Sequence, residues 1–179
     1  MPLLDIVTVP NKVLRAKAKT VNKVDQETKD LIDNMVETMR EAPGVGLAAP
    51  QVGILSRVIV VEWGDDEDDD SKKKLYTLVN PEITKKSSET VLGVEGCLSI
   101  PKFVGEVERS ESVTVKGFNR NGQPVKIKAN GWLARIFQHE IDHLEGILFT
   151  DRAESLTMIG ENENPEEIEA QQIVVTKEE

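Results

Sequence analysis

Gln138-His139-Glu140-Ile141-Asp142-His143-Leu144-Glu145-Gly146 holds both histidines of the chain, four positions apart, with a glutamate directly after the first. On a helix, residues four apart stack on one face, about one turn from each other. Two imidazoles so placed can grip one metal ion, and Glu140, roughly 100° further round the helix, still reaches a water on that ion. This is the HExxH arrangement of metal-dependent hydrolases. The same letters also occur in buried helices whose histidines only hydrogen-bond, so the decision rests on other segments. Trp132, Leu133, Ile136, Phe137, Ile141 and Leu144 spread round most of a helix predicted from Gly131 to about Glu145, with Asn130 as cap and Gly146 as stop. A helix apolar on nearly every side is buried at the centre of its domain.

Outward from that helix, Ser112–Phe118 and Pro124–Ala129 read as a hairpin around Asn119-Arg120-Asn121-Gly122. Arg57–Trp63 and Leu75–Ile83 read as strands, with Pro81 placing the end of the second at a sheet edge. An earlier helix starts at Asp25 and runs to about Glu41, with Leu31, Met35 and Met39 as its apolar stripe, and Pro43-Gly44 ends it. Residues 1–20 are expected to wrap the surface. Between the early helix and the first strand lies Gly44-Val45-Gly46-Leu47-Ala48-Ala49-Pro50-Gln51-Val52-Gly53, a small-residue loop with Gln51 as its single polar side chain. Thr90 to Pro101 reads as turn-rich and carries the only cysteine, Cys97. These elements give an α+β fold: antiparallel or mixed β-sheets wrapped around a central helix that bears the HExxH motif, with an N-terminal helix. Residues 1–150 form one catalytic domain and 151–179 an acidic tail, with a short helix from Asn164 to Gln172 and a strand at Ile173–Thr176.

The 179 residues suffice for one core without disulfides, and a single cysteine excludes an internal one. The net charge of -10 argues against direct nucleic-acid binding, which needs a basic surface. No run of about 18 apolar residues is present, so no membrane span is expected. Met1–Val7 has no basic stretch ahead of an apolar one, so no signal or transit peptide is expected either. Asp65–Asp70, followed by Lys72-Lys73-Lys74, reads as a solvated loop between strands.

A catalytic metal site needs three protein ligands and an open position. HExxHxxG continues in one peptidase class to a third histidine, but Phe149 stands there. Glu161, Glu163, Glu166 and Glu167 lie where another class takes a glutamate, in a polar tail with little to hold them. Cys97 is the better third ligand, since a thiolate suits zinc or ferrous iron.

Three segments together resemble one family, the peptide deformylases: the GxGLAAxQ loop at Gly44–Gln51, the EGCLS turn at Glu95–Ser99 and the QHExxH helix at Gln138–His143. The resemblance runs from about residue 5 to 150, and the EGCLS form is that of bacterial enzymes. It implies a cytoplasmic hydrolase that removes the formyl group from the formyl-methionine N-termini of nascent polypeptides. It further implies one ion per chain on Cys97, His139 and His143, Fe2+ in the most active form, with Zn2+, Ni2+ or Co2+ able to substitute. Glu140 would take a proton from water and deliver it to the departing amine, with the Gln51 amide and the Leu98 N–H as oxyanion donors. Gly46 would pair with the peptide backbone, and Val45, Trp132, Arg135 (through its stem), Ile136 and His139 would shape a methionine slot. Asp142 would pair with Arg109 and orient the helix, and Glu95 would support an imidazole or the loop. The acidic tail departs from members with a basic C-terminal helix, so any transient ribosome contact would use another surface. Two other readings are a metallopeptidase using a tail glutamate, and a non-catalytic relative that only binds peptide ends.

Overall fold

The computed structural model describes residues 2–65 and 69–159, together with the backbone of Val175–Thr176. Helix α1 (Gln26–Glu41) begins where the Asp25 carboxylate accepts the Thr28 N–H at 2.9 Å. It buries Ile32, Met35, Val36 and Met39 along one face, with Leu31 only partly covered. The chain then enters β1 (Gly46–Ala48), β2 (Val58–Trp63), β3 (Lys74–Lys86), β4 (Thr90–Cys97), β5 (Ile100–Ser110), β6 (Ser112–Phe118) and β7 (Pro124–Asn130). Helices α2 (Gly131–Leu144) and α3 (Phe149–Arg152) follow, then β8 (Ser155–Met158) and β9 (Val175–Thr176).

Two antiparallel sheets result, ordered β1-β2-β3-β6-β7 and β4-β5-β8-β9. Strand side chains alternate between faces, and β2 shows what this does here. Val58 and Val60 join the cluster under α1, whereas Ile59 and Val61 join Ala134, Ile136, Phe137, Ile141 and Leu144 of α2. The five-stranded sheet is thus covered by a helix on each face. Its β2 therefore reads as an unbroken apolar run in the sequence. Helix α2 ends at Gly146, whose φ is +73° and whose missing Cβ would fall 2.5 Å from the Arg15 carbonyl oxygen. Only glycine allows the N-terminal segment to cross there. That segment wraps as expected but also enters the core through Leu14 and Ala18.

Three expectations need correction. Pro81 is not at a sheet edge: β3 is flanked by β2 and β6, and Pro81 lies in a register shift between Val79 and Glu82. The irregularity accommodates a residue with no N–H to give. Beside it, Asn80 takes a positive φ of 51°, and its side chain exchanges two 2.8 Å hydrogen bonds with the Val21 backbone. Second, most of the stretch read as turn-rich is strand β4, and only its end at Cys97 turns into β5. Third, Asn130 occupies the N-cap of α2, but its side chain makes no capping bond. The tail helix from Asn164 to Gln172 lies outside the described residues. Val175–Thr176 does form a strand, paired with β8. Among the described residues no helix is long and apolar enough to cross a membrane.

Candidate metal centre and cleft

His139 and His143 project from consecutive turns of α2 toward the end of β4, where the ladder shifts register between Gly96 and Cys97. The Cys97 Sγ lies 3.4 Å from His143 Nε2. One ligand atom from each of Cys97, His139 and His143 can be chosen so that all three lie within 4.8 Å of one another. His139 commits its Nδ1 to Glu95 at 2.9 Å, which leaves its other ring nitrogen for this convergence. A carboxylate behind a ligating imidazole sets its tautomer and orientation. Phe149, the residue in place of a third histidine, stacks on the His139 ring at 6.1 Å.

Glu140 is buried beside this group, and its Oε2 has no hydrogen-bond partner among the described residues. Burial pushes its carboxyl up to about 7, His139 opposing and Glu95 adding to the shift. Gly46 makes room for it, because a Cβ there would fall 2.5 Å from Glu140 Oε1. The donor set suits a divalent ion: two imidazoles, a thiol that binds as thiolate, and an adjacent carboxylate with a free oxygen. Burial depresses both imidazoles, but His139 ends well above the ordinary histidine value because Cys97 and Glu95 hydrogen-bond it. His143 has no such anchor on Nδ1 and ends well below.

Gln51 is 1% exposed, and its amide orientation is fixed at both ends. Its Oε1 accepts the Ala48 N–H at 2.9 Å, so Nε2 donates toward Cys97 Sγ (3.4 Å) and the Ser99 hydroxyl (3.2 Å). The N-terminal segment holds both partners from behind, Val7 N–H donating to the Gln51 carbonyl and Val9 N–H to that of Ser99. A cleft of about 780 Å³ opens over these groups. Val45, Gly46, Gln51, Cys97, Leu98, Trp132, Arg135, Ile136, His139 and Glu140 all line it. Leu98 also packs against Gly44, where a Cβ would meet its Cδ1 at 2.9 Å.

Behind His139 runs a chain of charges. Arg109 donates to both oxygens of Glu95 at 2.9 Å and to Asp142 at 2.6 Å. Arg152 closes the far end on Asp142 at 2.7 and 3.0 Å. Burial alone would push the Glu95 carboxyl up, but its bonds to Arg109 and His139 hold it well below the usual carboxylate range. The structure brings Arg109 to Asp142, and of the two partners open to Glu95, an imidazole or the loop, it places the His139 imidazole there. The Glu95–Arg109 fork, Arg152 and Ser99 do not follow from the sequence. Arg152 lies beyond α2 with no spacing signal, whereas Ser99 is the last residue of the EGCLS turn. Glu161, Glu163, Glu166 and Glu167 lie outside the described residues.

The sequence profile of the family described as polypeptide deformylase matches residues 3–158. The chain belongs to that family. The peptide deformylase of Symbiobacterium thermophilum is 51% identical over 175 residues, covering 97% of this chain and 78% of that one. Peptide deformylase 1 of Bacillus subtilis is 50% identical over 152 residues, 85% of this chain and 91% of that one. Among solved structures, a Met-Ala-Ser-bound class I type b peptide deformylase from Acinetobacter baumannii superposes with a TM-score of 0.78 at 41% identity, covering 84% and 98% of the two chains. As a deformylase, the chain is a hydrolase that removes the N-terminal formyl group from nascent peptides.

Proposed function

We propose that Cys97, His139 and His143 hold one divalent ion per chain, Fe2+ in the native enzyme, with Zn2+, Ni2+ or Co2+ able to replace it. The observation that carries this reading is the convergence of the chain's single cysteine and both its histidines, with Cys97 and His139 lining the cleft. A bound ion would acidify water and polarise a carbonyl there. Glu140 is the base: its buried carboxyl, raised to about 7, can take a proton near neutral pH and return it to the leaving amine. Gln51 Nε2 and the Leu98 N–H are the donors for the charge that develops on the formyl oxygen. Gly46 offers backbone hydrogen bonds to an extended peptide. Val45, Trp132, Ile136 and the stem of Arg135 bound the methionine slot, and the Met-Ala-Ser ligand of the Acinetobacter relative is of the matching chemical kind. Glu95, Arg109 and Asp142 orient α2 and His139.

The catalytic unit in this reading, expected to end near residue 150, also takes in α3 and β8, because Arg152 holds Asp142 and β8 pairs with β5. The chain works in the bacterial cytoplasm, meeting nascent chains without direct nucleic-acid binding, and any passing ribosome contact does not use a basic C-terminal helix. The test is formate release from formyl-Met-Ala-Ser by anaerobically prepared protein, with metal analysis of the same sample. About one iron per chain and air-sensitive turnover are expected; metal-loaded protein that releases no formate above buffer would refute the reading.

A further inference from the structure

Arg135 sits one turn before His139 on α2, and its guanidinium is buried. Nη1 donates to Glu95 Oε2 at 2.7 Å and to the Val107 carbonyl at 2.8 Å, and Nη2 donates to the Val91 carbonyl at 2.7 Å. The same group lies over the Trp132 ring, with Cζ 5.4 Å from the centroid. It presses so closely on Gly93 that a Cβ there would fall 2.8 Å from Cζ. One side chain therefore ties the helix that carries both histidines to Glu95, to β4 and to β5.

Among the described residues β4 is the edge of its sheet, paired with β5, yet Val94 to Cys97 line the cleft. Arg109 already holds both oxygens of Glu95, so the Glu95–His139 contact stands without Arg135. The Val91 carbonyl, which faces Arg109 in the β4–β5 ladder, and the Trp132 ring, 45% exposed at the cleft, both meet this guanidinium. We propose that Arg135 is a positioning residue that fixes the β4 wall and the Trp132 ring against α2, and so sets how tightly the cleft grips the peptide part of its substrate. This inference rests on the deformylase reading of the cleft. The guanidinium itself touches no reacting atom; it acts through the strand and the ring.

Arg135→Met keeps most of the stem and removes all three hydrogen bonds. KM for formyl-Met-Ala-Ser and Kd for the tripeptide Met-Ala-Ser should both rise about tenfold, the fold-change of one charge-assisted hydrogen bond. Metal content should stay as in the parent, and KM and Kd should move further than turnover at saturation. Arg135→Lys should recover part of the grip, since an ammonium can still reach one carbonyl. Gly93→Ala leaves Arg135 in the sequence but pushes its head off β4, and should shift KM and Kd the same way. Folded Arg135→Met and Gly93→Ala proteins with unmoved KM and Kd would overturn the proposal. So would a loss of metal or turnover with KM and Kd unchanged, because Arg135 would then serve Glu95 and His139. If the parent protein releases no formate, the deformylase reading itself is lost; if it does and the variants bind normally, only the role of Arg135 is.

Discussion

On one side of His139, Glu95 accepts two hydrogen bonds at each carboxylate oxygen, from Arg109, Arg135 and the imidazole itself. Asp142 is likewise held by Arg109 and Arg152. On the other side, Glu140 Oε2 and His143 Nδ1 are equally buried and have no partner among the described residues. Both regions are polar and both sit in the core, so burial does not separate them; satisfaction does. A buried carboxylate with every lone pair used is locked and stays ionised. One with an oxygen free is held near neutrality and can exchange a proton. In the proposed reading, the satisfied side fixes geometry and the unsatisfied side carries the reaction.

The sharpest way to break this contrast is to remove the group with the free oxygen. Glu140→Ala should lower kcat by about 10³ or more, at the upper end of what a general base supplies. Metal content should hold, because Cys97, His139 and His143 are untouched. Formate release and metal analysis on one preparation decide it, and near-parental turnover would remove Glu140 from the role of base.

The supporting side should answer in stability instead. Arg109→Met strips Glu95 and Asp142 of their shared partner, and breaking a buried ion pair from one end costs about 3 kcal/mol or more. Arg135 and Arg152 remain as partial replacements, which favours the lower figure. Urea titration measures it. A midpoint unchanged from the parent would mean that the cluster holds nothing together.

Gly46→Ala probes the boundary between the two regions, since the new methyl would overlap Glu140 Oε1 and force the carboxylate aside. A displacement near 1 Å at a reacting group can cost about 10² in rate. Melting temperature should change little by comparison, and a parental rate would show that Glu140 has room to move.

The reacting side was far more legible in the sequence than the supporting side, for a physical reason. His139, Glu140 and His143 are related by helical spacing, Cys97 is the only cysteine of the chain, and Gln51 is the single polar side chain of its loop. The Glu95–Arg109–Asp142–Arg152 chain joins strand, strand, helix and a short helix after it, and nothing local marks which arginine meets which acid. Arg135 illustrates the limit. Its position on α2 was readable, but the direction of its guanidinium depends on Gly93, a residue with no side chain to signal anything. Pro81 failed for a related reason: its missing N–H suggested an edge, and only the neighbouring Asn80 and the register shift make the interior position tenable.

The smallest expected effect lies at the surface, where Asp33 on α1 accepts two 2.7 Å hydrogen bonds from Arg120 in the β6–β7 turn. The geometry matches that of the Glu95–Arg109 fork, but both partners are partly open to water, with side chains 25% and 38% exposed. Water competes for both charges, so Asp33→Asn should cost about 0.5 kcal/mol at neutral pH. Arg120 holds the Asp33 carboxyl below its ordinary value through those hydrogen bonds. A group with a depressed folded pKa contributes its full stability above the unfolded pKa, and loses it as pH falls through the folded one. The gap between parent and Asp33→Asn should therefore close as the solution is acidified below the normal carboxylate range, and shrink with added salt at neutral pH. A gap as large as that of Arg109→Met, or one insensitive to salt, would show that fork geometry rather than burial governs these pairs.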